Sequence, residues 1–469
     1  MVMDDPFKLS LVEAARAIRT RKLSSLEVTR ALLARIETWA VSLNAFVRIE
    51  PEEALAAAAA ADAVTAGRTD LPPLHGVPLA HKDMFYVAGK LAECGAKIRR
   101  GWVAPTTSAA IARLQNAGAF RLGALHMAEF AYGPTGHNEH LGPARNPWDR
   151  ERITGGSSSG SGAAVAACLT YAALGSDTGG SIRLPSHFCG VTGFKPTYGR
   201  VSRSNTMPLS FSLDTVGVLA RSAEDCELIS SLIIGADRLD PATAGAPAWD
   251  ATAARCSPAS LTVGVPSGFY VDDLEADIAN ALEETLRTLR GQKVRVVEVT
   301  LPDQAAINAA ALIVLAVEAA AVHAPWLRQQ PADYGAEVRA RLQNGLAYGA
   351  VQYLEALRWR GPALAAHLAA VRDVDIVIAP VARMAAPTIT ESEVGAGSLA
   401  EGIITTITRF TRPINYLGLP ALTVPVGRSR TGLPIGLQLI GKPFADETVI
   451  ALGRALQSVT AHHQQVPSL

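Results

Sequence analysis

Cysteine is scarce: five residues in 469, at positions 94, 168, 189, 226 and 256, with no C-x-x-C pair and no zinc-ligand spacing. An odd, scattered set excludes a disulfide framework and fits a reducing compartment. An excess of either charge is also missing, because 43 basic residues balance 43 acidic ones. Such a chain offers no basic footprint for nucleic acid or for an anionic membrane. The start, "MVMDDPFKLSLVEAARAIRT", has no apolar signal-peptide core, and no uncharged apolar stretch reaches the roughly 18 residues that would span a bilayer. These absences predict a cytoplasmic chain with no nucleic-acid and no membrane partner, acting on a small neutral or weakly polar molecule.

What is present is a large apolar fraction, 49% of the residues, enough for a sizeable core. Residues 8 to 40 carry apolar positions at helical spacing, with Ser24 and Ser25 placed to start a second segment. "PEEALAAAAAADAV", 51 to 64, opens on a proline and two glutamates, all favourable in a first helical turn. Strands are expected at "LTVGVPSG", "VRVVEVTL", "VDIVIAPV", "ALTVPVG" and "IGLQLIG", and helices over 275 to 290, 304 to 324, 333 to 370 and 446 to 459. Alternation of the two kinds predicts one large α/β domain. Four segments organise it: N-terminal helices over 1–65, a core over 66–234, a variable helical region over 235–410, and strands plus a helix over 411–469 that complete the same domain.

"ITGGSSSGSGAAVAA", residues 153 to 167, is the most unusual stretch. A linker would not run straight into a small-residue helix. A P-loop needs a closing lysine and hydroxyl residue, and a dinucleotide fingerprint needs glycine where Val165 stands, so both nucleotide readings fail. Gly156 to Gly160 matches G-x-S-x-G, but that nucleophile elbow needs a late histidine, and only His462 and His463 follow residue 367. Further on, "LGSDTGGSIRLPSHFCGVTGFKPTYGRVS", 174 to 202, supplies a second glycine-flanked serine, Ser181. Gly179 and Gly180 before it allow successive backbone N–H groups to point at one spot, as an oxyanion hole requires. A serine nucleophile needs a base, and Lys82 in "GVPLAHKDMF" follows an apolar run where burial would favour its neutral form.

Residues 153 to 202 resemble the defining block of the amidase signature family, and "LGALHMAEFAYGPTGHNEHLGPARNPWD", "SLDTVGVLARSAEDC" and "NYLGLPALTVPVG" extend the resemblance over most of the chain. The resemblance implies a central mixed β-sheet covered by helices on both faces. It also implies a Ser-cisSer-Lys triad, with Ser181 as nucleophile, Ser157 as the bridging serine in a cis peptide bond to Gly156, and Lys82 as base. The backbone at Thr178, Gly179, Gly180 and Ser181 would form the oxyanion hole, and Ala131 would touch substrate. Ser158, Asp177 and Arg183 are assigned to holding the loops together. One departure is Ser159, which stands where the family commonly has glycine.

His126, His137 and His140 with Glu129 and Glu139 lack the rigid helical spacing of a metalloprotease site, so no metal and no cofactor is expected. Cys189 in its apolar setting reads as packing rather than a nucleophile. The segments "AVEAAAVHAPWL" and "MPLSFSLD" resemble stand-alone amidases. They favour a free-standing amidohydrolase that cleaves a small aliphatic or aryl amide, anilide or carbamate through an acyl-enzyme, with a homodimer allowed. The alternative within the family is the A subunit of glutamyl-tRNA(Gln) amidotransferase, which releases ammonia from glutamine; a non-catalytic binding protein on the same fold is more distant. Phe130, Tyr132, Trp326 and Thr411 are candidates for the acyl pocket.

Overall fold

The β-branched runs form strands because such side chains pack well on a pleated surface. The computed structural model describes residues 5–68, 70–393 and 402–469, together with the backbone of 398–401. Thirteen strands follow one another among the described residues: β1 (Phe46–Ile49), β2 (Pro78–Lys82), β3 (Phe120–Leu125), β4 (Arg145–Asn146), β5 (Asp149–Ile153), β6 (Ala172–Asp177) and β7 (Thr192–Lys195), then β8 (Thr215–Ala220), β9 (Thr262–Pro266), β10 (Arg295–Val299), β11 (Ile376–Pro380), β12 (Ala421–Arg428) and β13 (Pro434–Gly441). Eight of them make one mixed sheet in the order β10-β9-β11-β13-β12-β7-β8-β6, and β1-β3-β2 make a smaller one. The pairs β10/β9 and β9/β11 are parallel and the remaining neighbours of the large sheet antiparallel. Every residue of β13 is buried, as expected of a central strand covered by helices on both faces. The expected α/β architecture with a mixed sheet is therefore the one observed.

Helices start where the sequence offers caps. Ser10 and Ser24 each close a capping box with a glutamate three residues on, fixing helices Leu11–Arg19 and Ser25–Leu43. The expected single helix over 333 to 370 is instead two, Ala336–Leu346 and Ala350–Ala370. The first ends where Gly345 presses on the Ala316 carbonyl, at a spot where a Cβ would approach to 2.1 Å. Gly349 then caps the second. Helix Gln304–Gln329 is long and apolar enough to cross a bilayer, yet half of its apolar window is buried inside the protein, and its Glu318 accepts hydrogen bonds from Ser210, Ser212 and Tyr353. Residues 235 to 260 form loops with three short 3-10 turns, Pro241–Thr243, Ala253–Arg255 and Pro258–Ser260.

Two features of this frame position the site. The edge strand β6 of the large sheet lies beside β2 of the small one, and helix Ser159–Ala166 packs against helix Arg183–Cys189. The second contact is close because the first helix is built of small residues: a Cβ on Gly162 would meet Pro185 Cβ at 2.9 Å; on another side of the same helix, one on Gly160 would meet the Ala45 carbonyl at 2.3 Å.

Candidate active site

Successive residues of a strand point to opposite sides, so β2 sends His81 and Lys82 in different directions. His81 Nδ1 accepts the Leu174 N–H of β6 at 3.1 Å, and burial pushes the ring's pKa down to about 3, so it sits as a neutral acceptor joining the two sheets. Lys82 turns the other way, only 1% exposed, and its Nζ donates to Ser157 Oγ at 2.7 Å and to Ser176 Oγ at 2.8 Å. Burial pushes its pKa down to about 7, against the opposing pull of Asp214 and Asp177. Read from local sequence alone, a lysine between a histidine and an aspartate is usually a surface ion-pair member, but here Asp83 pairs with Arg48 and not with Lys82.

Ser157 is fully buried, and its peptide bond from Gly156 is cis. Gly156 donates to the Pro134 carbonyl at 2.7 Å, and the Ser157 carbonyl accepts the Ala128 N–H at 3.2 Å, which ties this loop to the segment before Ala131. Ser158 donates its N–H to the Ser181 carbonyl at 3.3 Å, so the two serine loops meet directly. Ser181 itself is only partly buried in a block where nearly every neighbour is inaccessible. The structure thus brings Lys82, Ser157 and Ser181 into one place with the nucleophile candidate at the accessible end.

Asp177 organises the second loop. Its carboxylate accepts from Gly180 N–H at 2.8 Å, Ile182 N–H at 3.1 Å, Arg183 Nη2 at 3.0 Å and Asn415 Nδ2 at 2.8 Å. Burial alone would raise its pKa, but the Arg183 guanidinium, Lys195 and Asn415 outweigh it and hold the carboxyl well below its ordinary range. Gly180 has φ +130°, and a Cβ there would strike Thr411 Oγ1 at 2.4 Å, so only glycine fits. Because the Gly180 N–H is committed to Asp177, the candidate oxyanion donors left without an acceptor among the described residues include Gly179 and Ser181. Thr178 spends its hydroxyl on Asp214 at 2.6 Å.

Ala131, buried with φ +62°, follows Phe130, also left-handed at φ +50°. Phe130 stacks on Trp326 and packs against His323 and Tyr334, so two of the pocket candidates belong to an aromatic cluster. Tyr132 and Gly133 line a cavity of about 430 Å³ with Glu129, His137 and Glu337, and Gly133 abuts Gly156. Thr411 donates to the Gly179 carbonyl at 2.6 Å. The three histidines do not converge on one point: His126 bonds Ser159 Oγ at 2.9 Å, His137 bonds Ser392 at 2.8 Å, and His140 bonds Glu129 at 3.0 Å. Ser159, the departure from the family block, is therefore a buried partner for His126. Ser176 escaped sequence reasoning; it precedes Asp177 in β6 and so faces the opposite side, towards Lys82.

The Amidase family matches residues 27–450. The glutamyl-tRNA(Gln) amidotransferase A subunit of Geobacter metallireducens is 38% identical, with 98% of this chain and 99% of that protein aligned. A solved structure described as a vestigial protein complex that reveals the origins of an s-triazine catabolic enzyme is 36% identical, with 96% and 98% of the two chains covered and a TM-score of 0.90. The structure of the Thermotoga maritima glutamyl-tRNA(Gln) amidotransferase A subunit is 28% identical, with 100% and 98% covered and a TM-score of 0.84. These full-length relatives overturn the expectation of a free-standing amidohydrolase whose only partner is a small amide, without nucleic acid and at most a homodimer. Two short segments had carried that expectation, and identity spread over the whole chain outweighs them.

Proposed function

The chain belongs to the Amidase family and acts on amide C–N bonds, and on that premise we propose that it is the amide-hydrolysing component of a glutamyl-tRNA(Gln) amidotransferase-type assembly, releasing ammonia from the carboxamide of glutamine. The observation that carries this reading is end-to-end similarity to curated A subunits of that enzyme, at 38% and 37% identity in the Geobacter metallireducens and Roseiflexus proteins. In such an assembly the ammonia passes to a partner that holds charged tRNA, so protein and tRNA partners enter with the reading.

The proposed chemistry uses the chain's own groups. Neutral Lys82 takes the Ser157 proton, Ser157 takes that of Ser181, and the Ser181 alkoxide attacks the carboxamide carbon. Negative charge then gathers on the carboxamide oxygen, where free N–H groups at Gly179 and Ser181 stabilise it by about 3 kcal/mol per donor. The relay returns a proton to the departing nitrogen, which leaves as ammonia and not as an amide anion. Water, activated by the same relay, attacks the Ser181 ester and frees glutamate.

The test is ammonia release from glutamine by the full-length chain, alone and with its co-purifying protein partners, beside Ser181→Ala. Ser181-dependent release of ammonia and a glutamyl adduct on the intact chain are the expected results. Turnover of other amides with glutamine untouched, in the presence of those partners, would overturn the reading.

A further inference from the structure

Strand β8 pairs antiparallel with β6, with Thr215 opposite Asp177, and one further step in that register brings Asp214 against Thr178 of the oxyanion loop. There Thr178 donates its hydroxyl to Asp214 Oδ1 at 2.6 Å. The backbone N–H groups of Leu209, at 2.9 Å, and Ser210, at 3.1 Å, donate to the same carboxylate. Contacts in which a carboxylate only accepts suit its ionised form. Asp214 is 8% exposed, and among the described residues no cation lies within ion-pair distance of it; Arg203, the cation that acts on it from farther away, is paired with Asp240. Asp177, across the strand pair, is matched by Arg183. The charge of Asp177 is thus balanced locally, and that of Asp214 is not.

Ser176 connects this carboxylate to the base. It accepts from Lys82 Nζ at 2.8 Å and, together with Asp214, Met84 and Met207, lines a cavity of about 250 Å³. Burial pushes the Lys82 pKa down, and of the charges that resist it Asp214 comes first, ahead of Asp177. Other titratable groups near the amine offer no free charge: burial pushes the Cys94 thiol up to about 12, and Asp83 is paired with Arg48. Burial alone would leave the amine free but a weak base, because the ammonium it must become is poorly solvated. A fixed negative charge nearby offsets that cost.

We propose that Asp214 is a positioning residue of the relay: its carboxylate balances the Lys82 ammonium that forms as the amine takes the Ser157 proton, while its hold on Thr178 keeps the oxyanion loop aligned with that base. The inference rests on the relay of Lys82, Ser157 and Ser181 described above and is independent of which amide is cleaved. Asp214 touches neither substrate nor the protons in transfer.

The experiment follows phosphonylation of the full-length chain by diisopropyl fluorophosphate from about pH 5 to 9, read by intact-protein mass spectrometry, beside Asp214→Asn, Thr178→Val and Ser181→Ala. In this step the Ser181 oxygen bonds to phosphorus and fluoride leaves; the Ser181 proton goes to Ser157 as the Ser157 proton goes to Lys82. The rate therefore reads the relay without the natural amide. In the parent, Ser181-dependent labelling rises through about pH 7. Asparagine keeps the shape and the acceptor for Thr178 but removes the charge, so in Asp214→Asn the rise moves down by about one pH unit or more. Its plateau falls roughly 3- to 10-fold, as expected of a weaker base. In Thr178→Val the plateau falls and the rise stays in place. An unmoved rise in Asp214→Asn, or one that moves as far in Thr178→Val, would reduce the residue to a loop tie and overturn the proposal. Should Asp214→Asn fail to fold, Asp214→Ser, which also removes the charge, is read in its place; failure of both would mark the carboxylate as structural and count against the proposal. No labelling of the parent, or labelling that survives Ser181→Ala, would sink the relay itself and this inference with it. Glutamine left untouched while labelling behaves as expected would sink only the glutamine reading.

Discussion

Lys82 Nζ stands 2.7 Å from the hydroxyl of Ser157, and among the described residues no carboxylate pairs with it. Proximity to a neutral hydroxyl combined with burial is what lets a lysine serve as a base near neutrality, because only the uncharged amine can accept a proton.

The pH dependence of amide hydrolysis follows. Below about pH 7 the amine is protonated and inactive, and above it the amine is free. The rate kcat/KM should therefore rise through about pH 7 and level off, with Lys82→Met abolishing both the activity and the inflection. A pH–rate profile flat from 6 to 9, measured over about three units, would take the lysine out of the mechanism.

Ser176→Ala removes the second hydroxyl that accepts from Lys82. That hydroxyl favours the ammonium form, so its loss should lower the lysine pKa and move the rate rise to lower pH. The plateau should fall by about tenfold, because one of two contacts orienting the amine is gone. An unmoved inflection would leave Ser176 as packing only.

Ser181→Ala should fold as the parent does, since the side chain is partly exposed and makes no hydrogen bond that packs the core. Its kcat should drop by about four to six orders of magnitude, the scale seen when a hydrolase loses its nucleophile. Far-ultraviolet circular dichroism and ammonia release together check both halves of the expectation.

Breaking the clamp behind the nucleophile should cost stability instead. In Arg183→Met the Asp177 carboxylate is left buried with its main counter-charge removed, which should destabilise the fold by about 3–5 kcal/mol in a urea titration. Asp177 has a folded pKa below its ordinary value of 3.8, so its stabilising contribution is complete above that pH and is lost as the pH falls below it. The Arg183→Met chain should show a weaker acid dependence than the parent. Equal acid sensitivity in both would argue that other carboxylates dominate.

These sites differ in how far the sequence exposed them. Ser157, Ser181 and the glycines near them form compact blocks, and a glycine at φ +130° or pressed against backbone leaves a visible mark. Strands such as β11, Ile-Val-Ile-Ala-Pro and buried throughout, announce themselves through unbroken apolar runs, because both faces are covered. Ser176 left no such mark. Which side chain of β6 meets Lys82 depends on how the small sheet comes to lie beside the large one, and only the packed chain decides it. The division of 333 to 370 into two helices left little trace for a similar reason: in the last turn of the first, Gly345 fits against the Ala316 carbonyl of a different helix, and the break falls just after it.

Gly160→Ala offers a sign test of that kind of packing. Helix propensity alone favours alanine by about 1 kcal/mol. The new Cβ would, however, lie 2.3 Å from the Ala45 carbonyl and 2.5 Å from the His126 nitrogen, both backbone atoms that cannot swing aside. A net destabilisation of about 1–3 kcal/mol is expected, read as a lower urea midpoint. A stabilised variant would mean that the two elements can separate at little cost.

The Asp177 clamp also bears on how the protein is made. Its partner Asn415 lies 238 residues further along, and Arg183 reaches Gln438, 255 residues beyond itself. Ribosomes deliver these residues long after both serines have emerged. A nascent chain, or one truncated before Asn415, has the serines and the lysine but not the frame that shapes the loop between them. Hydrolytic competence is then expected to arise only after Asn415 and Gln438 have emerged and packed against the loop.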